Sequence, residues 1–172
     1  MRSRIVYGGV IGRKENREMV EILNLPVYKL RPGDFQRYGC TALVDTQPGF
    51  ENNSFPNNKR ATLIVDQHPA VSKPRADLCV IETGCGATSV ILTKCLLLLR
   101  LEIPGWLATA LAYGIISDTL NLYRSPSKGV IEVYRDLLPS CDMRALAKIQ
   151  NPVRSRRFFT TLARGIQRAM AR

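Results

Sequence analysis

The sequence predicts an α/β fold, a mostly parallel sheet flanked by helices. Two short apolar runs stop at an aspartate, Ala42-Leu43-Val44-Asp45 and Ala61-Thr62-Leu63-Ile64-Val65-Asp66. A strand buried in a parallel sheet reads this way, as a continuous aliphatic and β-branched run that gives way to a turn. Between such runs lie segments with apolar residues at helical spacing, such as Met19, Val20, Ile22 and Leu23. At 172 residues and 45% hydrophobic content, the chain is long enough for one well-buried core.

In chain order, Arg4-Ile5-Val6-Tyr7 is a short strand ended by Gly8-Gly9. A helix follows from Glu15 to Leu25, with Pro26 as its stop. Asn16 and Arg17 at its start either touch a ligand or form a solvated first turn. Val27 to Leu30 is a strand, and Pro32-Gly33-Asp34 a turn. The strand to Asp45 leads into a polar loop, Pro48 to Asn58, rich in turn formers. That loop is a lid over the crevice or a plain connection. The strand to Asp66 is followed by Gln67, His68 and Pro69, and Leu78 to Glu82 is the next strand. Gly84 and Gly86 then open a helix from about Ala87 to Leu99. Glycines at a strand-to-helix turn let backbone N–H groups approach an anion, and equally make a tight turn capped by Thr88 or Ser89. The apolar stretch Val90 to Leu101 reads as a core helix, too short to span a bilayer. Pro104 starts a helix that buries Trp106, Leu107, Ala110, Leu111 and Ile115, with Asp118 just past its apolar run. Gly129 to Leu138 and Met143 to Gln150 are two short helices.

From Pro152 onward no acid occurs. Phe159, Leu162, Ile166 and Met170 share one helical face, and Arg157, Arg164, Arg168 and Arg172 the opposite one. The segment is a nucleic-acid or acidic-membrane contact, or a terminal helix packed by its apolar stripe with a solvated basic face. The net charge of +11 and a pI near 9.9 favour anionic partners, with solubility as the plain alternative. The five cysteines are odd in number and form no C-x-x-C pair, which argues against a zinc site. Reduced, mostly buried thiols in a cytoplasmic protein fit best. No signal peptide is visible: no adequate apolar stretch follows the basic start.

In open α/β sheets, chemistry gathers outside the carboxyl ends of the strands. Asp45, Asp66 and His68, the one histidine of the chain, are therefore expected in one crevice with Asp118. Acids that close strands are also ordinary turn and cap residues.

These same segments carry a resemblance. The strand ending at Val44-Asp45, the strand ending at Asp66-Gln67-His68-Pro69, and Gly114-Ile115-Ile116-Ser117-Asp118-Thr119 resemble three successive motifs of the DHH-family phosphoesterases. The oligoribonuclease/pAp-phosphatase branch, related to the RecJ exonucleases, is the most similar, and glycine-rich Thr83 to Ser89 sits between the motifs as in that family. The resemblance implies Mn²⁺-dependent (or Mg²⁺-dependent) hydrolysis of short oligonucleotides or pAp-like nucleotides. It makes Asp45 the bridging metal ligand, Asp118 a ligand of one ion and Asp66 a further metal-site acid. His68 assists at the scissile phosphate, and Arg124, Gly84 and Gly86 contact substrate. It also implies a DHH-like domain over residues 1–140, lacking the family's first strand and helix with their His and Asp-x-Asp. Residues 141–172 would then be a helical basic extension towards an absent second domain. Gln67 stands where the family has a metal-binding histidine, so the two-metal site is expected to be incomplete and hydrolysis impaired. The alternative is a non-catalytic nucleotide- or nucleic-acid-binding remnant or fragment of the same family.

Overall fold

A computed structural model of the chain describes residues 3–56, 58–70, 73–124 and 127–170. Its strands are β1 (Ile5–Tyr7), β2 (Val27–Lys29), β3 (Ala42–Val44), β4 (Ala61–Asp66) and β5 (Ala76–Ile81). Its helices are α1 (Lys14–Ile22), α2 (Asp34–Arg37), α3 (Thr88–Leu98), α4 (Gly105–Asp118), α5 (Lys128–Leu137), α6 (Met143–Gln150) and α7 (Arg156–Met170). A 3₁₀ turn, Leu138–Ser140, joins α5 to α6. Every strand pairing is parallel: β1 with β2, and β3 with β4 with β5. The fold is α/β, with parallel sheets flanked by helices.

The expected strands form because β-branched and aliphatic residues fill a pleated surface that is covered on both faces. In β4, the middle strand, Ala61, Ile64, Val65 and Asp66 are all buried. One face of this sheet lies on α3, α4 and α5 through Val65, Val90, Leu111, Ile115 and Val133. The other buries Leu43, Ile64 and Ala76 against Phe55, with Phe35 at its margin. A third cluster joins Tyr113 and Ile116 of α4 to Leu146 and Ile149 of α6, with Met19 and Leu23 of the α1 segment packed on it. Gly114 permits a close crossing of α4 on α3, because a Cβ there would run into the Ser89 side chain. That crossing sets the carboxyl end of α4 against the strand ends.

Several expectations change. The segment around Pro32-Gly33-Asp34 is a turn that continues into α2, with Gly33 left-handed at φ 91°. The run Leu97 to Leu101 is not core: Leu97, Leu98, Leu99 and Leu101 are exposed. Consecutive leucines point around the whole circumference of a helix, and α3 has partners on one side. Trp106 is 49% exposed, because it sits in the first turn of α4, off the stripe made by Ala108, Leu111, Ala112 and Ile115. The cysteines are not mostly buried. All five are free, and Cys40, Cys79 and Cys95 are exposed.

Beyond α6, Pro152 is buried and Arg154 pairs with Glu15, while Lys14 donates to the Val153 carbonyl. That contact helps hold the Glu15 carboxyl below its usual range, after the larger effect of its hydrogen bond with its own backbone. No residue of α7 is buried. Its stripe of Phe159, Leu162, Ile166 and Met170 is exposed, so the packed terminal helix is not what the structure shows. Arg172 lies outside the described residues. Among the described residues, no helix is long and apolar enough to cross a membrane.

Candidate functional site

The carboxyl ends of β3 and β4 place three of the expected residues together. One ligand atom from each of Asp45, Asp66 and His68 lies within 4.8 Å of the others. Asp45 follows β3 in a left-handed conformation, φ 61°, uncommon for a residue with a side chain. Its amide still extends the sheet by donating to the Val65 carbonyl. The residue is thus pinned where the strand ends while its carboxylate stays half-exposed. The Thr88 hydroxyl, at the start of α3, donates to Asp45 Oδ1 at 2.7 Å. Thr88 does not cap the helix: α3 has no side-chain cap, and Ala87 occupies that position.

Asp66 is different. It is fully buried, and both of its oxygens are taken. Gln47 Nε2 donates to Oδ2 at 2.8 Å, and the amides of Gln67 and His68 donate to Oδ1 at 2.8 and 3.2 Å. His68 Nδ1 lies 2.8 Å from the same oxygen. A buried carboxylate is tolerated when its lone pairs are filled in this way. The hydrogen bond to Asp66 pushes the His68 pKa up, with the charges of Asp66, Asp45 and Asp118 adding to it and burial opposing. The same Nδ1 lies 4.0 Å from Asp45 Oδ1, and Phe50 meets the ring edge-on at 6.4 Å.

Asp118 closes α4, at the end of a helix dipole that disfavours negative charge. Burial pushes its pKa up, and Asp45 adds to the effect, while Arg13, His68 and Arg124 oppose it. Gln67 Nε2 donates to Asp118 Oδ2 at 3.4 Å, tying α4 to the end of β4. Arg124 itself is exposed, beyond a run of left-handed residues from Leu120 to Leu122, and its amide donates to the Thr119 carbonyl at 2.7 Å. Gly84 and Gly86 are left-handed, at φ 87° and 81°, and turn the chain from β5 into α3. Their conformation supports the tight-turn reading and delivers Thr88 to Asp45. Cys85 between them is buried, which raises its thiol pKa and leaves it unreactive.

Asp45, Asp118 and Thr88 also line one end of a cleft of about 570 Å³. Its other walls include Val6, Arg13, Asn16, Val44, Leu92 and Leu111. Asn16 accepts a hydrogen bond from the Tyr113 hydroxyl, and Arg17 lies apart from this cleft. The first part of the Pro48 to Asn58 loop is tied down, since Asn53 Nδ2 reaches Thr46, the Gln47 carbonyl and the Phe50 carbonyl.

Sequence reasoning passed over Gln47 and assigned Thr88 only a capping role. The signal for Gln47 was slight: a polar amide two residues past a strand-closing acid. Its complete burial, and its second bond to the His68 carbonyl at 2.9 Å, exist only once β3 and β4 are side by side.

No family model matches the chain. An uncharacterized protein of Methanocaldococcus jannaschii is 33% identical over 165 residues, covering 95% of this chain and 34% of that protein. The chain thus spans about a third of the length of the curated relative it matches. Its fold is similar to the crystal structure of an exopolyphosphatase-related protein from Bacteroides fragilis. The TM-score is 0.58 at 12% identity, over 88% of this chain and 56% of that one. At that identity the likeness speaks for the fold.

Proposed function

We propose that the chain carries a metal-dependent phosphoester hydrolase site of the DHH type, acting slowly at best on short oligonucleotides or pAp-like nucleotides. One observation carries this reading. Asp45, Asp66 and His68 converge at the carboxyl ends of adjacent parallel strands, with Asp118 tied in through Gln67. The fold likeness to an exopolyphosphatase-related protein supports it.

The donors fit a hard dication: carboxylate oxygens with one imidazole suit Mn²⁺, or Mg²⁺ with oxygen alone. Asp45 and Asp118 would hold it. Asp66 offers a carboxylate oxygen to the same cluster and also fixes His68 through Oδ1. Such an ion neutralises phosphoryl oxygens and acidifies its bound water. The chain's own contribution follows from the pKa directions. The raised His68 pKa favours a protonated ring, which would donate to a leaving oxygen. Arg13 and Arg124, whose charges already reach Asp118, offset charge on a bound phosphate.

Gln67 argues for low activity. Its amide nitrogen donates to Asp118 and so spends a metal-binding oxygen on a neutral partner. That observation favours a second reading, a nucleotide-binding site without turnover.

The test is Mn²⁺ titration by calorimetry alongside hydrolysis of bis-p-nitrophenyl phosphate and a short oligoribonucleotide. Weak Mn²⁺ binding that Asp45→Asn abolishes and Gln67→His tightens is the expected result. No binding by either the parent chain or Gln67→His overturns the metal site. Nucleotide binding with no turnover at saturating Mn²⁺ selects the second reading.

A further inference from the structure

The helix α7 has two unlike faces, and none of its residues is buried. Phe158, Phe159, Leu162, Ile166 and Met170 stand at helical spacing on one side, and each is at least 45% exposed. Arg157, Arg164 and Arg168 stand on the opposite side, with Arg156 at the border between the two. No acid occurs between Pro152 and Arg172 to neutralise them. A contiguous apolar stripe left in water beside a charged face marks a contact surface.

The helix is held at its root only. Pro152 is buried, Lys14 donates to the Val153 carbonyl, and Arg154 pairs with Glu15. The Arg154 guanidinium also lies over the Phe158 ring, 5.2 Å from its centre, and Phe158 meets Phe159 edge-on at 5.5 Å. The first turn is thus fixed against α1. The three buried clusters of the molecule include no residue of α7.

We propose that α7 lies flat in the surface of an anionic lipid bilayer and attaches the chain to it peripherally. The stripe enters the boundary between headgroups and acyl chains, and the arginines meet the lipid phosphates. A lipid surface is the one partner that uses both faces. A nucleic-acid strand takes the arginines and can stack on the phenylalanines, yet leaves Leu162, Ile166 and Met170 in water. A second copy of the chain would cover the stripe, but it brings another acid-free arginine face alongside the first. The helix is about 10 Å across, roughly one Debye length at 0.1 M salt, so even the far arginines feel an anionic surface. Arg156, at the border, reaches the headgroups by extending its side chain along the stripe. Among the described residues no helix is long and apolar enough to cross a membrane, which leaves α7 on the surface. The proposal rests on α7 and its root and is independent of the proposed hydrolase chemistry.

Vesicle co-sedimentation of the full 172-residue chain tests it, with phosphatidylcholine vesicles that either contain or lack phosphatidylglycerol. The chain should bind the anionic vesicles and bind pure phosphatidylcholine far less. The double variant Leu162→Gln, Ile166→Gln keeps every charge and touches no buried residue, so it should fold as the parent does, which a thermal melt checks. It should weaken binding to the anionic vesicles by about tenfold or more, while affinity for single-stranded RNA stays as it was. Arg164→Gln with Arg168→Gln should weaken both and flatten both salt dependences. Phe159→Trp, in a chain whose Trp106 is replaced by Phe, should shift its emission to the blue on the anionic vesicles. Three results would overturn the proposal. Absence of binding to anionic vesicles means that no lipid surface is recognised. Binding that the Leu162→Gln, Ile166→Gln variant leaves unchanged means that charge alone acts, as it would on RNA. A concentration-dependent dimer that the same variant abolishes, with vesicle binding lost as the dimer forms, means that a second copy covers the stripe.

Discussion

The two parts of the sheet are built from the same kinds of residue and differ in what covers them. β3, β4 and β5 lie between the α3–α4–α5 layer and the Phe35–Phe55 pair, and β4 is buried along most of its length. β1 and β2 have no buried residue, and neither has α1. Ile5, Val6 and Tyr28 have strand-forming side chains that stand exposed. Local propensity thus makes a strand in both parts, and burial stabilises only one of them. The site sits where the two parts adjoin, with its fixed half (Asp45, Asp66, His68) on the covered sheet and Arg13 on the open side.

The largest expected effect breaks the covered part. Ile64→Ala removes a fully buried side chain from the middle strand and should cost about 3–4 kcal/mol, read as a lowered urea midpoint. Val6→Ala, on a residue 37% exposed, should cost under about 1 kcal/mol. Equal losses would show that the β1–β2 layer is as integral as the other. Next comes the hydrogen-bonded floor of the site. Gln47→Ala leaves Asp66 Oδ2 buried without its donor and should cost about 1–3 kcal/mol. His68 should report the same lesion in its NMR titration, since Asp66 is what holds the ring.

A smaller effect concerns pH. The folded-state pKa of His68 is raised above 6.5, so the ring's contribution to stability is fully present below about pH 6.5 and lost as pH rises through the raised value. In a metal-free buffer, the difference in melting temperature between the parent chain and His68→Gln should shrink over that window. A constant difference would mean that the His68–Asp66 contact is not charge-assisted. Asp118→Asn should act in the opposite sense to a core mutation. It relieves a carboxyl that burial and Asp45 both destabilise, so the melting temperature should rise slightly near neutral pH while Mn²⁺ binding weakens.

The smallest effect on stability is expected from α7. Deleting residues 156–172 should change unfolding by under about 0.5 kcal/mol, because none of the described residues of α7 is buried. We expect the same deletion to lower affinity for single-stranded RNA and flatten its salt dependence, because Arg156, Arg157, Arg164, Arg168 and Arg172 are then gone. An unchanged salt slope would remove nucleic acid from the roles of this helix.

Much of the fold was legible in the sequence because its determinants are local. The runs ending at Asp45 and Asp66 set two strands, and Pro104 began α4 where the residue types required. That Asp45, Asp66 and His68 would share one crevice followed from strand direction alone. What no local pattern contains is which face of an element finds a partner. The leucines after Leu96 and the side chain of Trp106 are as apolar as the core, and they are exposed because no element covers that side. Asp45 and Asp66 read alike, as acids that close strands. Only the packing of Gln47 and His68 onto β4 made Asp66 a buried, hydrogen-bonded carboxylate and left Asp45 reaching outward. The sequence alone determined strands, helices and the end of the sheet where the polar residues gather, since these depend on near neighbours along the chain. Tertiary structure alone decided which acid is engaged, which is available, and that β1 and β3 line one cleft, since each depends on residues distant in sequence meeting in space.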